Sequence, residues 1–167
     1  MRVFKETQKF DQWFMKAIYF GMIAMLLFFI YTFYDSDSVV NKTDPDAIIA
    51  QIMVYTTSIA AIILFRSLGL RTEIDEIGIH YRFIPFHNSK RTIRWSEMEK
   101  CYVRTYRPIR EYGGWGIKAS LGKGGTAYNV KGNKGIQINL NTGKKLLIGT
   151  QKESEAQQVI DRHFLEK

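Results

Sequence analysis

The sequence predicts an α-helical transmembrane hairpin followed by a mostly-β domain that ends in one helix. Three observations predict this fold class. Two long uncharged apolar segments lie within the first 65 residues, apolar and polar residues alternate from residue 66 onward, and the last 18 residues contain neither Gly nor Pro. Each pattern is typical of a different element, because membrane spans, strands and amphipathic helices differ in hydrophobic periodicity.

The two apolar segments are Ala17–Tyr34 and Ala47–Phe65, of 18 and 19 residues. At 1.5 Å per residue they would form helices of roughly 27 and 28 Å, close to the ~30 Å hydrocarbon core of a bilayer. The alternative is a pair of unusually apolar buried helices, for which the remaining sequence offers no obvious partner layer. Small residues at helical spacing, which allow close backbone approach in lipid, predict the contact face between the spans: Ala17, Gly21 and Ala24 on the first, and Ala50, Val54, Thr57 and Ala61 on the second.

Charge bias predicts the orientation of this hairpin. The connection 35–46 contains four Asp and one Lys, whereas Lys/Arg residues flank the outer ends of both spans. Because Lys and Arg accumulate on the cytoplasmic side, both termini are expected in the cytoplasm. The expected organisation is a basic N-terminal segment 1–16, a hairpin 17–65 with spans about 17–34 and 47–65 and an external loop 35–46, and a cytoplasmic domain 66–167.

The cytoplasmic domain is expected to contain about seven short strands and a C-terminal helix. Segments such as "KRTIRW", "GIQINL" and "KKLLIGT" alternate with period two. The final helix carries an apolar stripe at helical spacing, Ala156, Val159, Ile160, His163 and Phe164. Thr150 is its expected N-cap, with Glu153 as the capping-box partner.

The segments "IGIHYRFIPF" (77–86) and "RTIRWSEMEK" (91–100), together with this layout, resemble the bacterial PH-like domain membrane proteins. The resemblance covers about residues 70–165. It implies an antiparallel PH-like split barrel of about seven strands with a C-terminal helix, held at the bacterial inner membrane. Lipid-binding PH domains hold headgroups in their first hairpin loop, and the corresponding turn here, Asp75–Gly78, is acidic. Headgroup binding at that turn is therefore not expected.

Sequence spacing provides no evidence for catalysis. The three His and the single Cys match no metal-ligand pattern, the glycine clusters do not form a phosphate loop, and no nucleophile–base pair is marked by spacing. We therefore expect no catalytic residue, metal, cofactor, small-molecule substrate or nucleic-acid partner. An enzyme stays open as an alternative because active sites assemble in space.

The segment "VRTYRPIREYGGWG" (103–116) combines Arg and Trp, which dominate binding hot spots. Trp115 could fill the core and bend a strand, or it could contact a partner. The three neighbouring glycines are expected to be structural, at positive φ or in a bulge. Candidate partner contacts are Arg104, Arg107, Arg110, Tyr112 and Trp115, and candidate structural glycines are Gly113, Gly114 and Gly116.

Residues 77–152 carry fifteen Lys/Arg against three acids. A domain held beside a cytoplasmic leaflet would meet anionic lipid, which attracts such charge. Candidate lipid contacts are Arg66, Arg71, Arg82, Lys90, Arg91 and Arg94. The predicted function is an integral membrane protein that presents a non-catalytic docking module to a protein partner or to itself. The alternatives are a sensor of the anionic lipid surface and an unrecognised enzyme.

Overall fold

The computed structural model describes residues 3–35, 45–120, 122 and 124–165. The chain divides into two compact units. We call Asp11–Ser67 the helical unit, and Met1–Phe10 together with Leu68–Lys167 the β unit. Each is described by itself below.

The helical unit contains α1 (Trp13–Asp35) and α2 (Pro45–Ser67), of 23 residues each. Both are long and apolar enough to cross a membrane, with mean hydropathy 2.0 over Trp13–Thr32 and 2.1 over Pro45–Ser67, and neither segment is buried within the protein. That exposure differs from a core helix of a soluble protein, whose apolar face is covered. Most of the predicted external loop lies at 36–44, outside the described residues.

The two helices contact each other through large and polar side chains. Tyr55 Oη donates to the carbonyl oxygen of Phe29 at 3.4 Å, and Gln51 Nε2 donates to Tyr55 Oη. Of the predicted small-residue face only Ala61 is half-buried; no heavy atom lies within 4 Å of a Cβ built on Gly21, and Ala17, Ala24, Ala50, Val54 and Thr57 are exposed. Tyr55 instead reaches a carbonyl oxygen of the facing helix, so larger and polar side chains form most of the contact. The half-buried positions among the described residues are Phe14, Met15, Tyr19, Met22, Ile23, Leu26 and Phe29 on α1, and Ala47, Gln51, Tyr55, Ser58, Ala61, Ile62 and Phe65 on α2.

The β unit contains two sheets, with strand orders β1-β2-β3-β4 (the first sheet) and β5-β8-β9-β7-β6 (the second sheet). All ladders are antiparallel except β7–β9, which is parallel. A 3₁₀ turn, Trp95–Glu97, joins the sheets, and a π-helical turn, Asp161–Leu165, extends α4. The elements are β1 (Phe4–Lys9), β2 (Gly69–Ile74), β3 (Gly78–Ile84), β4 (Arg91–Arg94), β5 (Met98–Thr105), α3 (Pro108–Tyr112), β6 (Gly116–Ala119), β7 (Thr126–Asn129), β8 (Lys134–Leu140), β9 (Lys145–Gly149) and α4 (Glu153–Ile160).

This architecture confirms the mostly-β domain but not an antiparallel barrel of about seven strands. The described residues form nine strands in two sheets, and no ladder within them closes the sheets into a barrel. The alternation pattern does not reveal β1, "FKETQK". Its inward side chains Phe4, Glu6 and Gln8 are mostly polar, although all three are buried.

β1 changes the organisation expected for the N-terminal segment. Instead of a separate basic segment 1–16, Phe4–Lys9 pairs with β2 over its whole length, from Phe4↔Ile74 to Lys9↔Gly69. The chain therefore leaves the β unit after β1 and returns to it at β2, and these two strands are hydrogen-bonded neighbours.

The core of the β unit lies between the two sheets and α4. Ile79, Phe83, Ile136, Ile148 and Ile160 are at most 1% exposed. The expected helix stripe is confirmed, since Ala156, Val159 and Ile160 are buried, and His163 and Phe164 contact the ring of Trp95 at 6.3 and 5.9 Å between centroids.

A buried polar cluster joins β1 to the end of β9. Glu6 Oε2 accepts from Thr150 Oγ1 at 2.7 Å and Glu6 Oε1 accepts from the Gln151 amide at 2.8 Å, while Gln8 Nε2 donates to the Gly149 carbonyl at 2.7 Å. The predicted N-cap role of Thr150 is wrong, because the helix begins after Lys152; the Thr150 hydroxyl donates to Glu6 and accepts from the Lys152 amide at 3.1 Å, just before the helix. These bonds fix the first sheet to the second without a backbone ladder.

Candidate functional site

Arg104, the first predicted partner contact, is occupied within the domain. Its Nη2 donates to Glu111 Oε2 at 2.8 Å and its Nε donates to Gln137 Oε1 at 3.0 Å. Its guanidinium also lies 5.9 Å from the ring centroid of Tyr106. The side chain joins β5, β8 and α3, so it stabilises the domain from within.

Tyr112 is also internal, at 1% exposure, in a small cluster with Tyr106, Ala127 and Leu147. Its hydroxyl donates to the Gly124 carbonyl at 3.2 Å, so it holds Gly124 near α3. Burial is the main reason that the pKa of Tyr112 is raised. A residue buried this far presents no contact surface.

Arg107, at the N-cap of α3, and Arg110, within α3, are both exposed and flank Ile109, which is 68% exposed. α3 is well fixed, since the Arg107 amide donates to Glu111 Oε1 at 2.7 Å and the Gly113 amide closes the helix onto the Ile109 carbonyl at 2.9 Å. The sequence marks the two arginines but not Ile109, whose exposure depends on the direction of this short helix.

Trp115 is neither a core residue nor a fully exposed contact residue. It is half-buried, outside the two core clusters, and its Nε1 donates to the Gly132 carbonyl at 3.0 Å. The indole therefore ties the segment after α3 to the β7–β8 turn. Gly113, Gly114 and Gly116 have φ of 72°, 124° and 117°, and no heavy atom within 4 Å of an added Cβ, so their need for Gly is conformational.

The predicted lipid contacts divide between two faces. Strand alternation and the register place Arg71, Arg82 and Arg94 on the side of the first sheet opposite the core, with Thr7, Arg71 and Arg82 in one cross-strand row. Arg91 instead shares the inward side with its partner Tyr81, Lys90 binds Glu73 Oε2 at 2.8 Å, and Arg66 belongs to the helical unit. We define the outer basic face as Lys5, Lys9, Arg71, Arg82 and Arg94.

A hydroxyl–imidazole–carboxylate series crosses this face. His80 Nδ1 lies 2.8 Å from Thr92 Oγ1, and His80 Nε2 lies 2.9 Å from Asp75 Oδ2. Such an order can activate a hydroxyl nucleophile, and the sequence could not reveal it because the three residues meet only across strands. Here Asp75 Oδ1 also accepts from the amides of Ile77 and Gly78 at 2.9 and 3.2 Å. We therefore interpret the series as a connection that holds the β2–β3 turn to β4.

Between the sheets, Tyr81, His87 and Tyr128 form an aromatic cluster, with 4.9 Å between the two tyrosine centroids. The Phe83 amide donates to His87 Nδ1 at 3.2 Å. Burial, and next the charge of Arg91, lowers the pKa of His87, while burial raises the pKa of Tyr81 to about 12. Both groups are thereby held neutral near pH 7.

A groove of about 410 Å³ opens beside Tyr81, with Ile93, Leu146, Lys144 and Lys145 among its lining residues. Its lining includes Gly122, whose neighbours Leu121 and Lys123 lie outside the described residues. In the part of the chain that the structure describes, no group of three His, Cys, Asp or Glu side chains could hold a metal ion.

No protein-family model and no curated protein sequence matches the chain. The functional argument therefore depends on the geometry of its own residues.

Acidification should destabilise the β unit through its paired carboxylates. Burial acts to raise the pKa of Asp75, but hydrogen bonds from His80 and two amides outweigh it and lower this pKa; the hydrogen bond from Lys90 lowers the pKa of Glu73. Carboxylates with lowered folded pKa values stabilise the fold above their unfolded values of 3.8 and 4.5 and lose this effect as the pH falls through the folded pKa. Thermal melting of the full chain should therefore shift to lower temperature below pH 4.5.

Asp75→Asn should lower the free energy of unfolding by about 1 kcal/mol near neutral pH, because it weakens these hydrogen bonds. The melting temperature of this variant should fall less on acidification than that of the parent. The neighbouring exposed carboxylate provides the control, Glu76→Gln. Equal acid sensitivity of the parent and Asp75→Asn would show that Asp75 does not contribute to this pH dependence.

Proposed function

We propose that the chain is a two-span integral protein of the bacterial inner membrane whose β unit is a non-catalytic PH-like module that binds the anionic lipid surface through the outer basic face. The observation that carries this proposal is the pairing of β1 with β2. It joins the sheet that bears the cations to both ends of the apolar helical segment.

The pairing supports the proposed topology independently of charge bias. Lys9 and Gly69 are register partners, so the chain enters and leaves residues 11–67 at adjacent points. A segment whose ends are held together crosses a membrane an even number of times. α1 and α2 supply two crossings, which would leave both chain ends on one side, and the Lys/Arg bias favours the cytoplasm for that side.

The strand order supports the PH-like proposal. β1 to β4 form one antiparallel meander, β5, β8 and β9 form another, and α4 follows. Together these are seven strands and a C-terminal helix, with α3, β6 and β7 inserted between β5 and β8. On this correspondence the first hairpin connection is the helical segment itself, whereas Asp75–Gly78 connects β2 to β3. The proposed lipid contact is therefore the sheet face and not a headgroup loop.

Charge on the outer basic face supports the choice of lipid. Glu73, on this face, binds Lys90 and is the register partner of Lys5, and Asp75, in the adjacent β2–β3 turn, contacts His80. Each cation near an anionic leaflet contributes about 1 kcal/mol. Tethering through the spans also raises the effective concentration of lipid at the domain, so that a modest attraction is enough to orient the face.

The proposal predicts that the outer basic face responds to anionic lipid. Thr7→Cys places one thiol within the Arg71–Arg82 row, while native Cys101 is buried with its pKa raised to about 12 and should not react. In full-length protein reconstituted into vesicles, an environment-sensitive dye at position 7 should shift to shorter wavelength with phosphatidylglycerol but not with phosphatidylcholine alone. About 1 M salt, where the Debye length is about 3 Å, should reverse the shift.

Adding Arg71→Glu and Arg82→Glu should abolish the shift. The matched control is Lys144→Glu with Lys145→Glu, two exposed cations at the β8–β9 turn outside the defined face. Lipid binding by this face would be contradicted if the dye emission were the same with and without phosphatidylglycerol, or if both double variants lost the emission shift equally.

Docking of a protein partner or a second copy is the second candidate function, and exposed Ile109 between Arg107 and Arg110 favours it. An apolar side chain flanked by arginines on a fixed helix is a typical contact centre. Ile109→Asp should reduce retention of a specific co-purified protein, or dimer formation, at least tenfold with an unchanged melting temperature. Ile117→Asp, on edge strand β6, is the control, and equal retention in both variants would exclude docking at α3.

A further inference from the structure

The β3–β4 connection, residues 85–90, exposes one aromatic side chain while holding its backbone firmly. Phe86 is 61% exposed. On either side of it, the His87 amide donates to the Phe83 carbonyl at 2.8 Å, and Arg82 Nε donates to the His87 carbonyl at 3.0 Å. The Phe83 ring lies 6.2 Å from that of Phe86, and the neighbouring His87 ring is buried against Tyr81 and Tyr128. The loop is thus preformed with its apolar residue outward.

Chain connectivity locates this loop at the end of the first sheet where the chain continues into the two apolar helices. Ile84 is the register partner of Gly69, which is in turn the partner of Lys9. α2 ends only two residues before Gly69, and α1 begins four residues after Lys9. Phe86 therefore lies two residues beyond Ile84, which is in the cross-strand row Lys9–Gly69–Ile84 from which the chain continues to both helices.

The strands that lead to this end of the sheet carry cations. Lys9, Arg71 and Arg82 of the outer basic face lie on the strands at this end of the sheet. An exposed aromatic side chain beside several Lys and Arg residues is the combination found at membrane interfaces, where the ring enters the headgroup–acyl boundary and the cations meet anionic headgroups.

We propose that the β3–β4 loop inserts Phe86 into the interface of the membrane that holds α1 and α2, and thereby anchors the outer basic face against lipid. This inference rests on the proposed function and names the residue that enters the bilayer. Insertion needs no rearrangement, because the loop already presents the ring.

Depth-dependent quenching in the full-length chain tests the insertion. Phe86→Cys carries a fluorescent label in phosphatidylglycerol-containing vesicles, and Ile109→Cys carries it in the control, since Ile109 is an equally exposed apolar residue on α3. Lipids with a nitroxide on the upper acyl chain should quench the label at position 86 several-fold more than that at 109, and aqueous iodide should do the reverse. Melting temperatures verify that both variants fold.

Equal quenching at the two positions would overturn the insertion. If the Thr7 label responds to lipid charge while the position 86 label stays accessible to iodide, insertion fails and lipid binding by the face stands. If neither label responds, both proposals fail. Protection at position 86 that depends on protein concentration in detergent, without lipid quenching in vesicles, would assign the ring to a contact with a second copy and overturn insertion.

Discussion

The backbone ladder between Phe4–Lys9 and Gly69–Ile74 closes a long loop of chain that contains both apolar helices. Loop closure has an entropic cost that grows with the logarithm of loop length. Association of α1 with α2 brings the two ends of the segment together, and so does the ladder. Each reduces the closure entropy that the other must overcome, which couples formation of the first sheet to formation of the helical hairpin.

The ladder alone would leave β1 as an edge strand on a small sheet. Buried Glu6 and Gln8 add contacts to the β9 end, through Thr150, Gln151 and the Gly149 carbonyl. Removing one partner would leave a buried polar group unsatisfied, which costs about 1–3 kcal/mol. The N-terminal strand is therefore held both by backbone pairing and by side chains that reach the second sheet.

This arrangement also explains which features the sequence could predict. The apolar segments identify α1 and α2, and alternation identifies most strands, because those elements bury regular apolar faces. Alternation does not identify β1, because two of its three inward residues, Glu6 and Gln8, are polar and bind partners more than 140 positions away.

Contacts that the sequence does not reveal also determine which candidate site residues are available to a partner. Arg104 appears in the sequence as a free cation, yet Glu111 and Gln137 bind it. Arg91 lies on the opposite side of the first sheet from Arg94, which only the strand register reveals. By contrast, Arg71 and Arg82 do lie together on the outer basic face.

A membrane role for this protein would follow from geometry more than from any single site. The helices provide apolar length, the β1–β2 ladder connects the two ends of the helical segment to one sheet, and that sheet carries the cations of the outer basic face. No step in this account needs catalysis, and the Asp75–His80–Thr92 series is accounted for by its hydrogen bonds to the β2–β3 turn.

The most direct test of the account is a cross-link across the β1–β2 ladder in the full-length protein within membranes. Thr7 and Arg71 are register partners on the exposed face, and antiparallel partners lie about 4.5–5.5 Å apart at Cα, within the range that a disulfide spans. The account predicts that Thr7→Cys with Arg71→Cys forms an intramolecular disulfide under mild oxidation. Thr7→Cys with Thr92→Cys, three strands and roughly 14 Å apart, should not. Absence of the first cross-link while both thiols react with a soluble reagent, or equal cross-linking of both pairs, would contradict the closure of the helical segment by β1 and β2.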